Sequence, residues 1–177
     1  MERPASGRRM GTLYALSVWL HLVAAAAWVG SMVFFAAVAV PVLRREELRA
    51  VSPRLLRLLG ARFRVLGWVA LFVLVATGVP NLYFRGVGWA QITDPAFWAT
   101  SFGHALGWKL GFVGFVLGAT AAHERLTGKR ALDAMARDPA SPEAARMRRT
   151  ASWLGRAVLL ASLAILFLAA ALVRGFL

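Results

Sequence analysis

The chain has 177 residues, 59% of them hydrophobic and 16% charged, with a formal net charge of +13. A water-soluble domain of this length does not need so much apolar surface, so the composition points to lipid as the solvent and to a single domain. The absence of cysteine excludes disulfides, thiolate metal sites and thiol catalysis. The positive charge stands in blocks between apolar runs, so it reads as membrane topology and affinity for anionic lipid, with no nucleic-acid partner.

Four apolar runs predict helices over about 13–43, 65–84, 105–124 and 153–173. Each is near or above the roughly 20 residues that cross a 30 Å hydrocarbon core. None shows the period-2 alternation of a membrane strand. The expected fold is therefore all-α, an integral membrane four-helix bundle.

The first run contains His21 and ends at Arg44-Arg45. Arg8-Arg9 and Ala24-x-Ala26 resemble the n-region and cleavage site of a signal peptide. The apolar stretch continues well past the alanines, however, which favours a retained span. Ser52-Pro53 reads as an N-cap with proline at the first helical position, opening an amphipathic entry into the second helix. Pro80-Asn81 is expected to end that helix. Beyond it, Tyr83, Phe84, Trp89, Phe97, Trp98 and Phe102 form an aromatic belt at headgroup level. Asp94-Pro95 can start a short interfacial helix. The third run carries Lys109 and the glycines Gly107, Gly111, Gly114 and Gly118, a spacing that lets helices approach closely. Ser141-Pro142-Glu143 repeats the capping device, so the fourth helix is expected to begin well before Trp153.

The first loop carries Arg44, Arg45, Arg49, Arg54, Arg57, Arg62 and Arg64. The third carries Arg125, Lys129, Arg130, Arg137, Arg146, Arg148, Arg149 and Arg156. The second carries Arg85 alone. Positive charge stays in the cytoplasm, so loops one and three are expected inside and both termini outside, against the weaker pull of Arg3, Arg8 and Arg9.

Polar groups inside a span are costly, and each is a functional candidate. Counting back from the inner boundary at 1.5 Å per residue places His21 about 35 Å up, His104 about 32 Å and Lys109 about 24 Å, all near the outer face. His123 stands at the cytoplasmic end. Helix one puts His21, Ala24, Ala25, Trp28 and Met32 on one stripe, a face turned to other helices. His21 and His104, at matched depth, can act as axial ligands to a haem iron or as half of a copper or zinc site. Each can equally be a histidine hydrogen-bonded to a neighbouring helix or to interfacial water. Lys109 either snorkels to the headgroups or faces the interior, where it and Arg85 can hold a carboxylate or propionate. No methionine ladder, nucleotide loop, triad or intramembrane carboxylate pair is present, so hydrolysis and acid-driven proton coupling are not expected.

The segments His21-Leu-Val-Ala-Ala-Ala-Ala-Trp28-Val-Gly30, Pro41-Val-Leu-Arg44, Arg62-Phe-Arg64, Thr77-Gly78 and Lys109 through His123 to Gly128 together cover most of the chain. In these the sequence resembles the copper resistance protein D (CopD) family of small bacterial membrane domains. That resemblance implies a non-enzymatic four-helix protein of the bacterial inner membrane serving copper homeostasis or transport, with His21 as the main copper ligand. His21, Trp28, Gly30 and Lys109 are also similar to the HemJ-type protoporphyrinogen oxidases. That similarity implies haem b and a redox enzyme, with His21 axial and His104 or Lys109 supporting. A third expectation is a structural or assembly subunit without ligand, in a homo-oligomer or with another membrane partner.

Overall fold

The computed structural model describes residues 5–48, 50–127 and 141–174. Arg3, Arg49, Lys129, Arg130 and Arg137 of the basic blocks lie outside the described residues. All regular structure among the described residues is helical. Helix α1 spans Ala5–Phe34 and continues through a π-helical turn, Phe35–Ala39, into α2, Val40–Leu43. Helix α3 is Ser52–Phe84, α4 Trp89–Thr93, α5 Pro95–Trp98, α6 Ser101–Thr127 and α7 Pro142–Arg174. Four segments are long and apolar enough to cross a bilayer: Met10–Leu43, Arg54–Phe84, Ser101–Arg125 and Pro142–Leu172. This is the make-up of a multi-pass, all-α membrane protein.

The chain divides into two compact units, Met1–Asp94 and Pro95–Leu177. Each is a pair of long helices packed along a thin seam. In the first unit α1 lies antiparallel on α3. Ala24, Trp28 and Met32 are buried from one side and Gly67, Ala70 and Leu71 from the other. The outward faces are apolar as well; Phe72 is 74% exposed, for example. Such faces suit hydrocarbon as the surrounding medium.

The local chemistry explains the joints. Pro41 has no N–H, and in an α-helix its ring would press on the carbonyl four residues back. The chain widens there instead, with the Val40 N–H donating to the Phe35 carbonyl five residues away. Ser52 is the first residue of α3, not its side-chain cap. Its hydroxyl donates to the Leu43 carbonyl at 2.5 Å, tying the start of α3 to the end of α2.

Pro80 does not end α3. The helix runs through it to Phe84, because a membrane helix tolerates one missing ladder bond where neighbours and hydroxyls re-satisfy the backbone. It stops at Gly86, whose φ of +80° a residue with a Cβ rarely adopts. There the Gly86 N–H bonds the Tyr83 carbonyl and the Val87 N–H the Leu82 carbonyl, with Val87 buried, as in a Schellman cap.

In the second unit Thr100 caps α6, its hydroxyl accepting the Gly103 N–H at 3.0 Å. A Cβ at Gly103 would fall 2.1 Å from the Phe97 carbonyl oxygen, so only glycine lets α5 lie this close to α6. Ser141 caps α7, accepting the Ala144 N–H at 3.2 Å, as its sequence predicts. The seam of α6 with α7 is built from Ala105, Leu106, Val116 and Ala119 with Ala144, Val158, Ala161 and Ser162. The glycine stripe does not form it. Gly111, Gly114 and Gly118 are exposed, and a Cβ on any of them would meet nothing within 4 Å.

Candidate functional site

Each step of three or four residues down α1 is matched by an equal step up α3. Tyr14 packs on Phe84 at 5.3 Å between ring centroids, His21 bonds Thr77, and Phe35 packs on Phe63 at 5.3 Å. This register puts Ser17 level with Asn81, one turn from His21 and Thr77. Two polar pairs with i, i+4 spacing, Ser17/His21 and Thr77/Asn81, therefore meet across an otherwise apolar seam.

The imidazole is set by its partner. His21 Nδ1 lies 2.8 Å from the Thr77 hydroxyl oxygen. That hydroxyl gives its one proton to the Val73 carbonyl at 2.6 Å, one turn back in its own helix. It can then only accept from the ring, so in the neutral imidazole Nδ1 carries the hydrogen and Nε2 the lone pair. The ring edge rests over Gly78, where a Cβ would stand 3.7 Å from His21 Cε1. One turn further along, Ser17 Oγ and Asn81 Oδ1 are both covered, and neither has a hydrogen-bond partner.

Trp28 lies on the same stripe two turns below His21. It is 5% exposed, and its ring fills the space that Gly67 leaves: a Cβ there would be 2.9 Å from Trp28 Cζ3. In this hairpin its visible work is packing. Arg85 is exposed at the C-terminal end of α3.

His104 and Lys109 belong to the second unit. His104 is exposed on the first turn of α6, with Nδ1 3.1 Å from the Thr100 carbonyl oxygen. A carbonyl only accepts, so Nδ1 carries a hydrogen, and in the neutral imidazole the lone pair is on Nε2. It edges a shallow depression of about 460 Å³ lined by Ala99, Ser101, Ala105, Trp108 and Leu168. Lys109 is part-buried on the same helix, and His123 is part-buried at its far end. Among the described residues, no group of three or more histidines and acids is placed to hold a metal ion. His21 and Thr77 are brought together in the first unit; His104 and Lys109 share one helix in the second.

Sequence reasoning missed Ser17 and Asn81. Their signal was present: a small polar residue one turn from His21 in the first run, and another one turn from Thr77 in the second. An apolar run punctuated twice at i, i+4 marks a buried polar seam.

Among known proteins, the chain is 28% identical over 162 residues to an uncharacterized protein of Aquifex aeolicus (strain VF5), covering 91% of this chain and 96% of that one. No solved structure matches it. The family model for a domain of unknown function, DUF4149, matches residues 23–140. That span takes in Trp28, Gly67, Thr77, Gly78, Asn81 and Lys109, with His21 just before its first position. The chain belongs to the DUF4149 family.

Proposed function

We propose that this multi-pass protein handles copper at a bacterial plasma membrane, with His21 as the principal ligand. One observation carries the proposal: the Nδ1–H of His21 is given to Thr77, which fixes Nε2 as the lone-pair nitrogen. Ligating histidines are oriented in this way, by donating the other ring N–H to a fixed acceptor. An imidazole suits copper, zinc, iron or nickel, and the CopD-like segments select copper among them. The arginine-rich segments entering α3 and α7 support an orientation with loops one and three in the cytoplasm. Copper titration of the purified full chain in detergent, followed by calorimetry, tests the proposal. Wild type is expected to bind and His21→Ala to lose the binding; equal binding by both defeats it.

A second function, haem b binding, is favoured by the other histidine. His104 stands in the same tautomer beside a depression walled by Ala105, Trp108 and Leu168. The residues suit a haem in kind: an imidazole and an apolar wall. Bound there, haem would supply one-electron redox chemistry. A Soret band that disappears in His104→Ala is the result expected of this function. No Soret band after haem loading removes it.

A further inference from the structure

From one exposed stripe of α7 we infer a binding site for a single anionic phospholipid. Its phosphate is held by Arg156 on the Trp153 ring, its headgroup lies beside Arg149, and an acyl chain runs along Leu160, Leu163 and Phe167. The basic blocks as a whole attract acidic lipid diffusely; this stripe localises one molecule.

Helical phase sets the stripe. At about 100° per residue, Trp153, Arg156, Leu160, Leu163 and Phe167 all fall within about 40° of the direction of Arg149. All six are exposed, Leu160 to 66% and Phe167 to 71%. The seam with α6 uses Val158, Ala161 and Ser162, on the opposite side of α7. Packing of the second unit therefore leaves the stripe uncovered.

The arginine is already oriented. Side chains on a helix lean toward its N-terminus. The Arg156 guanidinium follows that lean and lies over Trp153, one turn back, at 5.2 Å from the ring centroid. It therefore stands at the level of the indole, a ring suited to the headgroup boundary, and not in the apolar stretch below. The contact draws on the π face of the ring, so the fork of N–H donors keeps capacity for an oxyanion, and its geometry matches a phosphate. Fixing a long side chain before the ligand arrives lowers the entropy cost of binding.

The charge pattern selects the headgroup. Arg149 and Arg146 follow Arg156 at two and three turns toward the N-terminus. The only acid of α7, Glu143, lies about 120° round the helix from Arg149. A zwitterionic headgroup would bring its ammonium among these arginines with no carboxylate on the face to receive it. A headgroup charged only at the phosphate, such as that of phosphatidylglycerol, meets no such repulsion. From Arg156 to Phe167 the helix rises about 17 Å, close to the roughly 15 Å of hydrocarbon in one leaflet. The apolar part of the stripe thus has the length of an acyl chain.

The test uses the purified full chain in detergent. Bound phosphatidylglycerol and phosphatidylcholine are counted by native mass spectrometry at equal lipid concentration, and the helix content of each variant is checked by circular dichroism. Wild type is expected to hold one phosphatidylglycerol tightly and to release phosphatidylcholine. Arg156→Gln should weaken that retention about tenfold, the scale of a lost charge-assisted hydrogen bond. Trp153→Leu should weaken it as well, and Trp153→Phe, which keeps a ring, should restore most of it. Arg57→Gln on α3 has the same net charge as Arg156→Gln and should stay close to wild type. If Arg156→Gln does not fold, Arg149→Gln against Arg57→Gln decides in the same sense. Equal loss in Arg156→Gln and Arg57→Gln, or equal retention of the two lipids by wild type, overturns the site and leaves diffuse attraction alone. Displacement of the lipid by inorganic phosphate overturns the lipid as occupant and leaves a free-phosphate site. Retention of poly-glutamate in preference to phosphatidylglycerol overturns it in favour of an acidic protein.

Discussion

A histidine inside an apolar span has two chemically different nitrogens, and its neighbour decides which keeps the proton. Here the neighbour is Thr77, whose own proton is directed to the Val73 carbonyl. Thr77→Val removes the acceptor while preserving shape, and deprives the ring N–H of its bond across the seam. The expected loss is about 1–2 kcal/mol, the scale of one buried hydrogen bond in a membrane helix, read by denaturant unfolding in detergent, with Thr77→Ser close to wild type. Unchanged stability in Thr77→Val would mean that the bond carries no weight. His21 was legible in the sequence because an ionisable group in a span stands out. Thr77 was visible only as part of a resemblance. The geometry that makes it a partner depends on the register of α1 on α3, and hydropathy carries no register.

At the scale of elements, the four spans were legible because length and apolarity suffice to mark them. Their ends were less so. The sequence expects a stop at Pro80, but proline costs a membrane helix little more than one bond, and the true stop is the left-handed Gly86. The glycines of the third run were expected in a packed face. Gly111, Gly114 and Gly118 instead face away from α7, while Gly103 and Gly107 accommodate α5. Small-residue spacing marks a face that can be approached closely without saying by what. In the α1–α3 seam, Gly67 is the notch that receives the Trp28 ring. Gly67→Leu forces that buried ring aside and should cost about 1–3 kcal/mol, the usual penalty for overpacking. The same substitution at part-buried Gly60, where a Cβ meets nothing within 4 Å, serves as the control. Equal stability of the two variants would mean that the tryptophan does not depend on the notch.

At the scale of the whole molecule, one helical stripe of α7 runs from Arg149 through Trp153 and Arg156 to Leu160 and Phe167. The Arg156 guanidinium lies over the Trp153 ring at 5.2 Å from its centroid. Arginine and tryptophan giving way to leucine and phenylalanine along one exposed face match a passage from headgroups to hydrocarbon. With the basic start of α3, this stripe supports placing loops one and three in the cytoplasm. The native absence of cysteine makes the test clean: Glu47→Cys in loop one and Gln91→Cys on α4 each introduce one label site. An impermeant maleimide is expected to label Gln91→Cys in intact cells and Glu47→Cys only after lysis; the reverse pattern would invert the topology. The most direct measurement of the His21 assignment is the ¹⁵N spectrum of its ring in the purified protein, assigned by comparison with His21→Ala. A protonated, pyrrole-type Nδ1 and a lone-pair, pyridine-type Nε2 that shifts on Zn²⁺ addition are the predicted result. The opposite tautomer, or an Nε2 resonance indifferent to the metal, would contradict it.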